Sequence, residues 1–232
     1  MFSRMIWLFT LLINLSWFSV PAYADTSQAN DKSVANNKVL TNEKALASFL
    51  LALEGMENFQ ASFVQSSKTH TGEILQQMEG SLSVAKPGKM RWQTEDPFAQ
   101  LVVSDGQLIW VYDMDLEQVT IRNMDQRVQE TPALLLSGNT QEIDASFIVS
   151  KTTADENVIY QLVPKDSSQL FQSLEFHYHD HILQGMKIYD AAGQITDIVF
   201  TQQKQNQVID EQAFVFDVPE GVDVIDGRQA GF

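Results

Sequence analysis

The spacing of apolar residues changes character along the chain, and each change marks an element. In residues 1–24, MFSRMIWLFTLLINLSWFSVPAYA, one positive charge (Arg4) precedes an apolar run from Met5 to about Trp17. Ala22-Tyr23-Ala24 then supplies a small-x-small cleavage pattern. These are the three parts of a secretory signal peptide, with cleavage expected after Ala24. Residues 25–40 (DTSQANDKSVANNKVL) are polar and aperiodic, which predicts a flexible N-terminal tail. Thr41 can cap a helix whose apolar face is Leu46, Phe49, Leu50, Leu53 and Met56, with Gly55 near its end.

From Phe59 the period becomes two. Phe59, Ala61 and Phe63 alternate with Gln60 and Ser62; Ile74, Met78, Leu82 and Val84 share parity as far as the turn Lys86-Pro87-Gly88. A short strand through Met90 and Trp92 ends before Pro97, and two further strands flank the hairpin signal Asp105-Gly106. A two-residue turn there sets Ser104 opposite Gln107, Val103 opposite Leu108 and Leu101 opposite Trp110. One face then carries Leu101, Val103, Leu108, Trp110 and Tyr112, and the other the smaller set Gln100, Val102, Ser104, Gln107, Ile109 and Val111. The larger set has two readings, a cavity wall or an ordinary sealed core.

A strand from Leu116 to Arg122 precedes TPALLLSG (131–138). Thr131 as N-cap, Pro132 at the first helical position and Gly138 as stop predict a very short helix containing Leu134, Leu135 and Leu136. Strands follow through Phe147–Val149, Val158–Leu162, Leu174–Tyr178, Ile182–Ile188 and Ile195–Thr201, and the last apolar pattern is FVFDVPEGVDVID (214–226). Consecutive hairpins with a few helices predict one α+β domain over 41–232, a curved antiparallel sheet or open barrel with helices over one side.

Composition narrows the chemistry. The chain has no cysteine, which excludes disulfides, thiol catalysis and a lipid-modified cysteine tether. No stretch after residue 24 approaches the roughly 20 apolar residues that span a bilayer, so the exported chain is expected to be soluble, in the periplasm or the medium. A formal charge of −15 disfavours nucleic acid and anionic headgroups. G-x-S-x-G, a phosphate loop, H-E-x-x-H and an EF-hand loop are all missing, so neither enzyme activity nor a cofactor is expected. His177-Tyr178-His179-Asp180-His181 has metal-ligand spacing on a strand, but Asp180 sits between two strands, which favours a hairpin end with solvated imidazoles over a metal site.

Five stretches together resemble the LolA family of outer-membrane lipoprotein carriers: FQASFVQ (59–65), GSLSVAKPGKMRW (80–92), LVVSDGQLIWVYDMDLEQVT (101–120), TPALLLSG (131–138) and AFVFDVPEGVDVID (213–226). The resemblance implies an incomplete, half-open antiparallel barrel covered by short helices, with an apolar cavity between sheet and helical lid. It implies a monomeric periplasmic chaperone that takes acylated lipoproteins from the inner-membrane ABC transporter LolCDE and gives them to the outer-membrane receptor LolB. Trp92 matches the family's cavity-side aromatic and Leu134, Leu135 and Leu136 its lid helix; by the same resemblance Leu101, Val103, Leu108, Trp110 and Tyr112 become the cavity wall. Two positions depart from the family pattern. Lys86 replaces an arginine thought to latch the lid, offering a mobile point charge in place of a rigid fork. Met90 replaces an aromatic that contacts the transporter. A free-lipid or fatty-acyl binding or sensing protein on the same fold is the rival reading.

Overall fold

The computed structural model describes residues 38–41, 43–95, 97–124, 132–137, 140–166 and 171–228. The signal peptide and most of the predicted tail, Thr131 and Gly138 lie outside them. The tail enters the described residues at 38–40, and there the structure has a strand: β1 (Lys38–Thr41) pairs antiparallel with β8 (Phe147–Ala154). Thr41 ends that strand, and α1 (Glu43–Glu54) begins two residues later.

The long alternating run forms β2 (Asn58–Lys68) and β3 (Ile74–Ala85), followed by β4 (Lys89–Thr94), β5 (Gln100–Asp105), β6 (Leu108–Asp113) and β7 (Gln118–Asn123). A 3₁₀ helix, Pro132–Ser137, stands where the short helix is predicted, and α2 (Thr140–Ser146) leads into β8. Then come β9 (Asn157–Pro164), β10 (Phe171–His179), β11 (Ile182–Asp190) and β12 (Ile195–Gln205), a second 3₁₀ turn (Glu211–Phe214) and β13 (Asp223–Asp226). Among the described residues all strands belong to one sheet, in the order β1-β8-β9-β10-β11-β12-β2-β3-β4-β5-β6-β7-β13. Its neighbours are antiparallel except β13, which runs parallel to β7. The two ends of this order do not meet, so the sheet is open.

α1 defines the front of the sheet. It buries Ala45, Phe49 and Leu53, and the Phe49 ring sits 5.0 Å from Tyr160 on β9 and 5.1 Å from Phe176 on β10. Leu46 and Leu50, expected on the same face, are only half-buried, because the helix contacts the sheet through a face turned toward Ala45. Following the pairing from Tyr160 through Phe176, Met186, Ile198 and Gln65 brings Phe59, Ala61 and Phe63 of β2 to the front, with Leu82 and Val84 of β3. All five are buried.

Gly80 pairs with Phe63 on one side and Thr94 on the other. A Cβ there would lie 2.0 Å from the Gln93 carbonyl oxygen and 2.6 Å from Cζ of Phe63. The glycine thus lets the Phe63 ring lie low across β3 and meet Trp92 on β4, centroid to centroid 4.2 Å at 35°. Contacts of this kind contribute about 0.5–1.5 kcal/mol beyond the area they bury.

The hairpin at Asp105-Gly106 is wider than a two-residue turn. Asp105 Oδ1 accepts from the backbone N–H of Gln107 and of Leu108, both at 2.8 Å, so the side chain closes the turn and the ladder begins at Ser104–Ile109. Val103 therefore faces Trp110 and Leu101 faces Tyr112. The pairing is two residues from the expected one, and because side chains alternate with period two, every residue keeps its predicted face.

On the back of the sheet His177 Nε2 lies 2.9 Å from Glu175 Oε2, and Asp180-His181 forms the turn between β10 and β11 with positive φ at both residues. The hydrogen bond from His177 is the main cause holding the Glu175 carboxyl below its ordinary range, with Lys187 and Tyr189 adding to it against the opposing effect of burial.

Gly80→Ala is expected to destabilise the fold by about 1–3 kcal/mol in urea unfolding, since the clash is with backbone as well as ring; an unchanged midpoint would contradict the packing account. Glu175 is ionised more readily folded than unfolded, so its contribution is present above about pH 4 and is lost as pH falls through the lower folded value. Glu175→Gln should therefore cost stability near neutrality and progressively less on acidification. A cost that does not vary between about pH 3 and 7 would count against this linkage.

Candidate functional site

The residues singled out in the sequence separate into two groups on opposite faces. Met90 and Trp92 pair with Val84 and Leu82 of β3 and with Ser104 and Val102 of β5. They are front residues, continuous with Phe63 and buried. Leu101 and Val103 pair with Gln93 and Arg91, and with Tyr112 and Trp110, which puts them all on the back. Leu108 shares that parity and lies opposite Asn123.

The larger apolar set of the β5–β6 hairpin therefore does not share a face with Trp92. The C-terminal segment covers it. The turn Glu211–Phe214 contacts β4 and β5, Phe214 is buried, and the Phe216 ring lies 6.3 Å from Trp110 and 6.1 Å from Tyr112. Lys89, also a back residue, pairs with Glu211. What faces Trp92's side from this hairpin is the smaller set, Val102, Ser104, Ile109 and Val111, all buried. Met90 has 0% exposure and presents no surface to a partner in this structure.

Leu134, Leu135 and Leu136 are each 1% exposed. Three consecutive residues on a 3₁₀ helix point in three directions, so burial of all three means the segment is enclosed on every side. It contacts β3 and β4. Its C-terminal end is tied to the β3–β4 turn by the backbone: Gly88 N–H donates to the Ser137 carbonyl at 3.1 Å. Ser137 Oγ in turn donates to the Leu134 carbonyl at 2.6 Å, closing the last turn of the helix.

Lys86 is attached elsewhere. Its ammonium donates to the Glu54 carbonyl at 3.0 Å and lies 3.7 Å from Glu57 Oε1, at the C-terminal end of α1. A cation there satisfies an orphan carbonyl and complements the helix dipole. Among the described residues it makes no hydrogen bond to the 3₁₀ helix. Its side chain is 19% exposed, so it is held against the end of α1 and is not a freely solvated turn residue.

The β3–β4 turn and the β5–β6 turn support each other. Ser104 Oγ donates to the Gly88 carbonyl at 2.8 Å, and a Cβ on Gly106 would lie 2.7 Å from the Pro87 carbonyl oxygen. Gly88 and Gly106 have φ of +70° and +97°, which glycine adopts without strain. Both motif glycines are thus needed for two turns to touch, and the outer one carries the amide that holds Ser137.

A polar group sits on the front under α1. Lys151 Nζ donates to Ser48 Oγ at 2.8 Å, Ser48 Oγ lies 2.8 Å from the Tyr160 hydroxyl, and Lys151 Nζ stands 5.4 Å from the centre of the Tyr160 ring. Tyr178 meets Tyr160 edge to face at 5.7 Å. Its hydroxyl is buried without a hydrogen-bond partner among the described residues, and burial, followed by the neighbouring Tyr160, raises its pKa. None of these four residues stood out in the sequence; alternation places Tyr160 and Tyr178 on strands, but nothing local joins them to Ser48.

The sequence profile described as "Outer membrane lipoprotein carrier protein LolA" matches residues 54–217. The outer-membrane lipoprotein carrier protein of Hahella chejuensis is 41% identical over 175 residues, which is 75% of this chain and 84% of that protein. That of Chromohalobacter salexigens is 40% identical over 179 residues, covering 77% and 84%, and that of Azotobacter vinelandii 42% over 173 residues, covering 75% and 84%. The match runs through the Phe63–Trp92 contact, the two glycine turns and the leucine-rich 3₁₀ helix, and on it the chain belongs to the LolA family of outer-membrane lipoprotein carrier proteins.

Proposed function

We propose that this protein is a periplasmic carrier that shields the acyl chains of lipoproteins between the front of its sheet and the Pro132–Ser137 helix. It receives them from an inner-membrane ABC transporter and delivers them to an outer-membrane receptor. The carrier itself makes and breaks no covalent bond. The observation that carries the reading is a buried run of leucines, Leu134–Leu136, in a 3₁₀ helix packed on strands whose front holds the Phe63–Trp92 pair, in a chain of this family.

The physical need is large. Each methylene left in water costs about 0.8 kcal/mol, so a chain of roughly 16 carbons costs about 12 kcal/mol. A carrier must bury that surface and still let it go. A 3₁₀ helix joined to the β3–β4 turn through the Gly88 amide suits such a lid, because short 3₁₀ segments have weak internal hydrogen bonds and can be displaced as a unit. When the helix lifts, the apolar surface it leaves is the surface an acyl chain would fill. Lys86 in this scheme fixes α1 and leaves lid opening unaffected.

In a release assay, inner membranes bearing a radiolabelled lipoprotein are incubated with the protein, and the supernatant is examined for a one-to-one soluble complex that passes its cargo to outer membranes. Leu135→Glu should lower release by tenfold or more, on the order of the cost of burying a carboxylate, while circular dichroism shows the sheet retained. Trp110→Glu, on the back beneath Phe216, should lower thermal stability and leave release largely intact. Release by the wild-type protein no better than buffer would sink the carrier reading; equal loss by both variants would sink the front-face assignment. Lys86→Ala should cost about 1 kcal/mol of stability with delivery rate unchanged, and a changed delivery rate at equal cargo loading would return the latch to Lys86.

A further inference from the structure

The Lys151 group under α1 has a charge imbalance. Lys151 is a front residue of β8, half-buried, paired across the ladder with Tyr160 on one side and Leu40 of β1 on the other. Among the described residues no carboxylate lies within ion-pair distance of it, and its hydrogen-bond acceptor is the Ser48 hydroxyl. An ammonium has three donors, and holding one beside apolar surface without a counter-charge is costly. One phenol, Tyr160, stands beside it, and a second, Tyr178, stands against Tyr160. Tyr160 shares its hydroxyl with Ser48, and Tyr178, edge-on to Tyr160, buries a hydroxyl with no partner among the described residues. A buried donor left unmade costs the desolvation of that group with no return.

One ligand chemistry would satisfy both defects. An anionic oxygen group accepts from the ammonium and from neighbouring hydroxyls, and the surroundings require an apolar remainder: Phe49, Phe176 and Leu174 continue the front face away from the cation. We propose that Lys151, Ser48, Tyr160 and Tyr178 form a headgroup site for an anionic lipid, a carboxylate or phosphate at the head of a chain lying along the front of the sheet. This rests on the front face accepting acyl chains. It adds a ligand class to that reading, because an acyl chain joined to a protein by an ester or amide has no charge at its head. Lys151 is half-buried on β8, one strand in from the edge strand β1, so a headgroup can reach it from solvent.

The test compares ligands that differ at the head. Calorimetric titrations of the full chain below micellar concentration use oleate, oleyl alcohol, dihexanoyl phosphatidic acid and inorganic phosphate. Oleate is expected to bind about tenfold more tightly than oleyl alcohol, the ratio a charge-assisted hydrogen bond supplies. Lys151→Met, which keeps the apolar stem, should abolish that preference and leave the alcohol unchanged. Tyr178→Phe keeps the ring and should reduce the oleate preference about fivefold, which gives a second reading if Lys151→Met folds poorly. Phosphatidic acid binding that is lost in Lys151→Met would identify phosphate heads as accepted alongside carboxylates. Inorganic phosphate binding with no preference for oleate would overturn the lipid assignment in favour of a free anion. Equal binding of oleate and alcohol, or a preference that survives in Lys151→Met, would overturn the headgroup site and spare the acyl-binding face; binding of neither would overturn both.

Discussion

The sheet does not close. β1 pairs with β8 at one end and β13 with β7 at the other, and the strands between form a continuous ladder with an apolar front. A closed barrel fills its interior from its own strands, whereas an open sheet must have its apolar face covered by something else. Here α1 covers the β8–β10 part through Phe49, and the Pro132–Ser137 helix packs on β3 and β4. Both covers are short and lie outside the ladder. The interior is therefore held shut by pieces whose loss leaves the sheet hydrogen bonds intact.

The two covers are fastened differently. The C-terminal end of α1 is held by Lys86 at the Glu54 carbonyl and by Asn206, whose side-chain amide donates to the Gly55 carbonyl while its Oδ1 accepts from Glu57 N–H, both at 2.8 Å. Charge, dipole and a bidentate amide fix that end to the residues that follow β3 and β12. The 3₁₀ helix is joined at Ser137 to the backbone amide of Gly88. Such an asymmetry suits the proposed carrier cycle, in which one cover stays and the other moves.

The β5–β6 hairpin is apolar on both faces. Val102 and Val103, adjacent in sequence, are 3% and 0% exposed, one on the front and the other on the back, where the Glu211–Phe214 turn contacts β5. Burial on both faces is unusual for an antiparallel strand. It explains why the hairpin carries so many large side chains without all of them serving a cavity. The C-terminal segment then extends the sheet as β13, in parallel with β7. Its contribution is to cover part of the back of the β5–β6 hairpin.

The sequence by itself determined the elements and their parity. Alternation from Phe59 to Phe63, the turns at Pro87-Gly88 and Asp105-Gly106 and the Pro132 helix are local effects of backbone geometry, and motif resemblance extended them to a family. β1 was missed because a four-residue edge strand in a polar stretch has no alternation to read, and β13 because a parallel partner across a hundred residues leaves no local mark. The tertiary structure alone decided which face is inside. Parity sorts Leu101, Val103, Trp110 and Tyr112 from Val102, Ile109 and Val111, but the choice of face depends on Phe49 and Phe216, which arrive from distant parts of the chain. The same holds for Lys86, whose carbonyl partner is on a helix, and for Lys151 with Ser48 and Tyr178. Periodicity is fixed by neighbours along the backbone, whereas partnership is fixed by whatever the closed fold brings across.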